Sequence, residues 1–153
     1  MKTSAAALAE LDRVTRETYD AAVAAHAAFE QARALIAELD KQTGSDVAEL
    51  KAQVEALAPA NMVGRRRGFG GGQGGAAAPA NLESASNAIM AAAMAMQGAD
   101  VAPTAGQVAT AAKARADAAV PMRAWATIRT SGLATFNQKR QAAGQPTVTL
   151  PPR

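Results

Sequence analysis

Apolar and small residues recur at steps of three and four along the first forty or so residues of the chain. The series continues without a break to Leu39. This heptad spacing places its members on one face of an α-helix. Thr3 or Ser4 can cap the start of this helix, and Gly44 can end it in a left-handed turn. The pattern therefore predicts a first helix over about 4–43, roughly 60 Å long.

Two shorter helices are predicted in the middle of the chain. The first covers about 46–57, where Asp46 and Glu49 have the spacing of a capping box. Because only the three residues 43–45 separate it from the first helix, the two should form an antiparallel hairpin. The other short helix covers about 81–97, with Asn81 as its N-cap.

The last helix is long again and is predicted over about 104–143. Thr104 and Gln107 repeat the capping-box spacing at its start, and Gly144 follows its end. Pro121 lies inside the apolar pattern. Because proline has no amide proton for the bond to the preceding turn, we expect a kink there.

Two segments break the helical pattern. Residues 58–80 combine prolines with many glycines and three arginines, which predicts a flexible or disordered Gly/Arg-rich loop. Residues 144–153 alternate apolar and polar side chains between prolines, which favours an extended tail.

Together these elements predict an all-α fold, with one domain over 1–153. The expected architecture is an antiparallel four-helix bundle in the order long, short, short, long, with a disordered Gly/Arg-rich loop and an extended C-terminal tail. Hydrophobic residues make up 49% of the chain and aromatic residues 3%, and much of the apolar content is alanine. Since alanine favours helices but buries little area, we expect a tight, thin bundle of moderate stability.

The unequal helix lengths suggest a docking surface. In an up-down-up-down bundle the two short helices cover only one end of the long pair. The other end would then expose aromatic and aliphatic side chains to a partner. The candidate docking residues are Leu8, Leu11, Tyr19, Trp125, Ile128, Leu133 and Phe136.

The net charge of +3 is unevenly distributed. Residues 1–58 contain six Lys and Arg against ten Asp and Glu, residues 59–80 contain three Arg and no acid, and residues 81–153 contain seven bases against three acids. An acidic first half should therefore lie against a basic second half. Arginines of the last helix are expected to reach Glu17 or Asp20.

The arginines of the central loop have one functional interpretation. Arg65, Arg66 and Arg67 precede Phe69 in a glycine-rich context, as in RGG-type RNA-binding segments, where arginines contact phosphates and an aromatic ring stacks on a base. There is one arginine cluster here rather than a repeated unit. A solvated linker is therefore the favoured interpretation, and nucleic acid is a disfavoured partner.

The sequence contains no recognisable catalytic or metal-binding constellation. It has no cysteine and one histidine, His26, without further ligands at metal-site spacing. The carboxylates of the first helix are best explained as surface charge, and no nucleophile is accompanied by a base. We predict no enzyme, no cofactor and no metal. The start of the chain lacks the apolar core of a signal peptide and no stretch resembles a membrane-spanning helix, so the compartment is left open.

Short motifs in the second half resemble a known family. They are Ala99-Asp100, Pro103-Thr104, Trp125, Leu133-Ala134-Thr135-Phe136-Asn137 and Gly144-Gln145-Pro146. This arrangement resembles the C-terminal helical region of large bacterial sortilin-like proteins, often labelled glycosyl-hydrolase-like or BNR-repeat β-propeller proteins. The resemblance covers about 4–151 and includes the Gly/Arg-rich loop. Phe136 stands where the family pattern usually has leucine.

The resemblance implies an accessory role rather than an activity. Ligand binding or hydrolysis in that family would belong to the propeller, which this sequence lacks, so neither carries over. The implied parent protein is exported, periplasmic or extracellular, and the implied partner of the bundle is the propeller. Self-association is the alternative, and a free-standing protein that binds RNA or anionic surfaces through its arginine loop is the alternative function.

Overall fold

A computed structural model describes residues 5–60, 81–97 and 103–152. In these residues the fold is all-α, and the predicted four-helix bundle is confirmed. The helices are α1 (Ala5–Leu39), α2 (Ser45–Leu57), α3 (Leu82–Gln97) and a last long helix, which consists of α4 (Ala105–Thr127), a π-helical turn (Ile128–Gly132) and α5 (Leu133–Ala142). The predicted loop lies, from residue 61 to residue 80, outside the described residues.

The turn between α1 and α2 differs from the prediction. α1 ends at Leu39, and α2 begins at Ser45 with Gly44 as its N-cap and no side-chain capping bond. The predicted capping box of Asp46 and Glu49 is therefore wrong. Gly44 has a φ of 137°, and a Cβ at this position would collide with the carboxylate of Asp46. Glycine is thus favoured here by backbone conformation, while the Asp46 side chain would have to move to admit a Cβ.

The caps predicted for the other two helices are confirmed. Asn81 Oδ1 accepts a hydrogen bond from the amide of Ser84 at 2.8 Å. Thr104 Oγ1 accepts from the amide of Gln107 at 3.2 Å, and Gln107 Oε1 accepts from the amide of Thr104 at 2.8 Å. The Gln107 side chain also donates to the carbonyl of Ala95 at 2.8 Å, which connects the start of α4 to the end of α3.

The last helix ends at Gly144, as predicted. Gly144 has a left-handed φ of 66°. Its amide donates to the carbonyl of Gln141 at 3.0 Å, and the amide of Gln145 donates to the carbonyl of Arg140 at 2.8 Å. This pair of bonds is a Schellman motif, which satisfies the free carbonyls at the end of the helix.

The two long helices run parallel to each other, so the predicted up-down-up-down order is wrong. Contacts near the start of one helix involve the start of the other, and the same holds for their ends. Glu17 pairs with Arg115 at 2.8 Å. Arg140, near the end of the last helix, donates to Gln42 at 2.6 Å, just beyond the end of α1. At the start of α1, Val14 belongs to one buried cluster with Ala111.

Both short helices run antiparallel to α1. Lys51 of α2 pairs with Asp40 at 2.5 Å, and the Arg33 side chain donates to the carbonyl of Ala58 at 3.3 Å. Ser86 of α3 donates to the carbonyl of Ala22 at 3.3 Å. The directions are therefore up, down, down, up. α2 covers the C-terminal half of α1 and α3 covers its N-terminal half, so the chain does not reverse direction between the two short helices.

The core consists of three clusters, whose composition changes along the bundle. At one end lies a small cluster of Val14, Ala92, Met96 and Ala111. The middle is mostly alanine: Ala22, Ala25, Ala85, Ile89 and Ala118. The largest cluster, at the other end, contains the leucines of α1 and α2 together with Trp125, Ile128, Leu133, Phe136 and Val148. Alanine in the middle lets the helix backbones approach closely.

The last helix continues through Pro121, which is buried within α4. The predicted kink at Pro121 stays a prediction. Just beyond, the π-helical turn carries Thr130 and Ser131, whose hydroxyls donate back to carbonyls of the preceding turn at 2.8 and 3.2 Å. Hydroxyl side chains that bond back in this way perturb the regular ladder of backbone hydrogen bonds.

Close packing of the alanine layer leads to a stability prediction. Ala25 is fully buried, whereas its neighbour Ala24 is exposed. We expect Ala25→Leu to lower the free energy of unfolding by about 1–3 kcal/mol because the added volume forces the helices apart. Ala24→Leu should leave it within about 0.5 kcal/mol. Urea unfolding followed by circular dichroism measures both, and equal effects would show that the middle layer is not tightly packed.

Candidate interaction surface

The predicted docking surface does not form a single surface. Because α1 and the last helix are parallel, Leu8, Leu11 and Tyr19 lie at one end of the bundle, and the four residues of the last helix lie at the other. Those four, Trp125, Ile128, Leu133 and Phe136, are only 2–8% exposed. They belong to the large core cluster together with the end of α1, with α2 and with the C-terminal tail. The prediction that they form part of a docking surface is wrong.

The residues of α1 remain accessible. Leu8 is 52% exposed and Tyr19 is 48% exposed, and Val23, which the sequence prediction missed, is 47% exposed. Leu8 and Tyr19 are three helical turns apart and Val23 is one further turn along, so the three share one face of α1. Leu11 is half-buried beside them. We call Leu8, Leu11, Tyr19 and Val23 the α1 stripe.

A shallow groove of about 290 Å³ adjoins the α1 stripe at the start of the helix. Its apolar part is formed by Leu8, Leu11 and Met96, so it lies between α1 and the end of α3. Asp12 lines its rim and pairs with Arg16 at 2.7 Å. The Asp12–Arg16 ion pair lies between Leu8 and Tyr19 on the same side of α1, so the exposed apolar residues form two patches with a charged pair between them.

Ion pairs connect this end of α1 to the last helix. Arg13 lies between Glu10 and Glu17, at 2.6 Å from each carboxylate, and Arg115 of α4 reaches Glu17 at 2.8 Å. The expectation that arginines of the last helix reach Glu17 or Asp20 is confirmed for Glu17. Hydrogen bonds from Arg115 and then Arg13 hold the pKa of Glu17 below its ordinary value, and the hydrogen bond from Arg13 does the same to the pKa of Glu10.

A buried charged residue, which the sequence did not lead us to predict, lies at the end of the bundle that contains the large core cluster. Arg140 is 3% exposed. Its guanidinium donates to Gln42 Oε1 at 2.6 Å, to the carbonyl of Thr43 at 3.1 Å and to the carbonyl of Pro146 at 3.2 Å, and it lies 3.4 Å from a carboxylate oxygen of Asp46.

A sequence signal for Arg140 was present. Arg140 lies one helical turn after Phe136, so it continues the inner face of the last helix, and its charged group lies 5.6 Å from the centre of the Phe136 ring. All the groups that bind it belong to the chain itself. We therefore assign it a structural role, which is to join the α1–α2 turn, α5 and the tail.

The predicted tail is extended, and it packs against the bundle. Val148 is buried in the large core cluster, Leu150 packs against the same cluster, and Thr149 between them is exposed. The side chain of Asn137 in α5 makes two hydrogen bonds with the backbone of Val148. Its Nδ2 donates to the carbonyl at 2.7 Å, and its Oδ1 accepts from the amide at 2.9 Å.

The remaining candidates are placed as follows. His26 is exposed on α1, stacked beside Phe29 at 6.5 Å and 4.0 Å from Glu30. Within the described ranges, no three His, Cys, Asp or Glu side chains are grouped as metal ligands would be. No described helix is both long and apolar enough to cross a bilayer. Arg65, Arg66, Arg67 and Phe69 lie outside the described residues, so RNA binding by this segment stays a prediction.

Comparison with known proteins adds no relationship. No family model, curated protein or solved structure matches the chain. The resemblance to sortilin-like proteins therefore stays a prediction based on the short motifs alone.

The contacts of Arg140 lead to a prediction about stability. Arg140→Met leaves two backbone carbonyls and Gln42 without their donor, so we expect a loss of about 3 kcal/mol in the free energy of unfolding. The thermal midpoint should fall by roughly 6–12 °C. The control is Arg123→Met, since Arg123 is exposed and donates only to the carbonyl of Ala119 in its own helix. Equal midpoints for the two variants, measured by circular dichroism, would contradict the structural role of Arg140.

The ion pairs of Glu17 lead to a prediction about pH. Because its pKa is lower in the folded chain than the ordinary 4.5, its contribution to stability is fully present above pH 4.5 and is lost as the pH falls through the folded value. Glu17→Gln should therefore reduce the fall in thermal midpoint on acidification below pH 4.5. Glu49→Gln, at an exposed acid on α2, serves as the control. Parallel pH profiles for the wild type and Glu17→Gln would exclude the proposed linkage.

Proposed function

We propose that this chain is a non-catalytic interaction bundle, the C-terminal accessory domain of a larger exported β-propeller protein, and that it docks through the α1 stripe. The observation that supports docking is the exposure of Leu8, Tyr19 and Val23, each about half accessible on one face of one helix. Large apolar side chains grouped on a helix face favour a protein partner.

The position of the stripe suits a docking role. It starts at the opposite end of the bundle from the large core cluster around Trp125, and it reaches the level of the middle cluster of Ala22 and Ala25. A partner at the stripe can therefore bind without disturbing the packing of the core. The Asp12–Arg16 ion pair within the stripe and the pairs around Arg13 would contribute orientation rather than affinity.

The first experiment determines the size of the native gene product with an antibody raised to this bundle. The proposal expects a species several times larger than the 15.5 kDa of this chain, because the bundle would be one domain of a longer protein. A native species of 15.5 kDa would contradict the accessory-domain proposal. The stripe would then be examined as a surface for self-association.

The second experiment tests the docking surface itself. We expect Leu8→Asp combined with Tyr19→Asp to weaken association with the separately produced remainder of the parent protein by at least about tenfold, since a charge is introduced into an apolar contact. Val120→Asp is the matched control, because Val120 is 59% exposed on α4. Isothermal titration calorimetry measures the affinities. Equal affinity for the double variant and the control would rule out the α1 stripe as the interface.

A further inference from the structure

The C-terminal tail of this chain is bound in the manner of a peptide ligand. Residues 146–152 have no regular secondary structure and lie beside α5 and the C-terminal half of α1. Val148 and Leu150 pack inward while Thr147 and Thr149 are exposed. Alternate side chains of an extended peptide are recognised in this way by grooves that bind strands.

Asn137 recognises the backbone of the tail rather than a side chain. A carboxamide has the donor and acceptor of a peptide group, and Asn137 uses both, at 2.7 Å to the carbonyl of Val148 and at 2.9 Å to its amide. These two bonds do not depend on the identity of residue 148. They fix the position and direction of an extended chain, and the pockets for residues 148 and 150 then select aliphatic side chains.

A hollow lies beyond Leu150. Pro151 and Pro152 line this hollow of about 380 Å³ together with Ala27, Glu30, Gln31 and Ala34 of α1. Proline favours an extended backbone and has no amide proton that needs a hydrogen-bond acceptor. It therefore suits a segment that crosses a helix surface without backbone hydrogen-bond partners. The side chains that pack against the core cluster are those of Val148 and Leu150, so the pattern recognised by the groove is valine, any residue, leucine.

The backbone at the end of α5 stays hydrogen-bonded when the tail leaves the groove. The Schellman motif of Gly144 and Gln145 satisfies the carbonyls of Gln141 and Arg140 before the tail begins. Of the bonds made by Arg140, only the one to Pro146 belongs to the tail, and those to Gln42 and Thr43 would remain. The left-handed glycine at 144 provides a hinge.

We infer that the groove between α5 and α1 is a binding site for an extended peptide segment of a partner chain with the pattern valine, any residue, leucine, and that the tail occupies this site in cis. Release of the tail makes the site available. This inference does not depend on the proposed accessory-domain function, because it concerns a different end of the bundle from the α1 stripe.

The test uses the full chain and a synthetic peptide of residues 145–152 as the probe. A release variant, Val148→Asp with Leu150→Asp, introduces charges that the apolar groove excludes, so its tail leaves the site. We expect the release variant to bind the peptide at least about tenfold more tightly than the wild type, because a tail bound for more than about 90% of the time leaves less than a tenth of the sites free. Chemical-shift changes in NMR spectra, at peptide concentrations up to several millimolar, measure the affinities.

Two variants serve as controls. Thr147→Asp with Thr149→Asp adds the same charge at the outward-facing positions, so its tail should stay bound and its affinity for the peptide should equal that of the wild type. Asn137→Ala in the release background removes both backbone bonds, and we expect a further loss of at least about tenfold in peptide affinity. A peptide with Asp at the positions of Val148 and Leu150 should not bind.

Each contrary outcome overturns the inference. A folded release variant that does not bind the peptide would show that the groove is not a recognition site. A release variant that loses its helical circular dichroism would show that the tail is an inseparable part of the core rather than an exchangeable ligand. A wild-type dimer that dissociates on introduction of the release substitutions would assign the groove to the tail of a second copy of this chain instead of a foreign segment.

Discussion

The buried guanidinium of Arg140 is the contact on which the large end of the bundle depends. Burial of a charge is costly unless its donors are matched, and here they are distributed among the α1–α2 turn, the tail and Asp46 of α2. The geometry explains the sharp turn at Gly44, because that turn brings the carbonyl of Thr43 and the side chain of Asp46 to the same cation. One side chain thus joins the last helix and the tail to the α1–α2 turn, where its partner Gln42 lies 98 positions away in the sequence.

The rest of the bundle follows from a gradient of side-chain size. Leucines and aromatic residues fill the end next to Arg140, and alanines fill the middle, where Ala22 and Ala25 are fully buried. Burial of alanine contributes little hydrophobic free energy per residue, so the middle depends on close approach of the helices. The N-terminal end has only a small cluster around Val14 and Met96, and there the surface remains partly apolar.

The elements that the sequence predicts well are those determined by neighbouring residues. The caps at Asn81 and Thr104 and the stop at Gly144 depend on side chains within a few positions, and each is present in the structure. The direction of the last helix was not predictable in this way. The same apolar face on a helix can pack parallel or antiparallel to its neighbour, and the choice depends on long-range packing such as that of Val14 with Ala111 and of the α1 leucines with Trp125. The error in direction is what placed Trp125 on a surface instead of in the core.

The π-helical turn has a consequence for how this chain can change in length. Along the last helix the inward-facing residues are Trp125, Ile128, Leu133, Phe136 and Arg140. The interval from Ile128 to Leu133 is one residue longer than a regular α-helical turn permits, and the wide turn absorbs the surplus. A form of this chain that is one residue shorter between 128 and 132 would close into a regular helix and still present leucine, phenylalanine and arginine to the core. The turn thus has the geometry of a single-residue insertion that the fold accommodated without repacking.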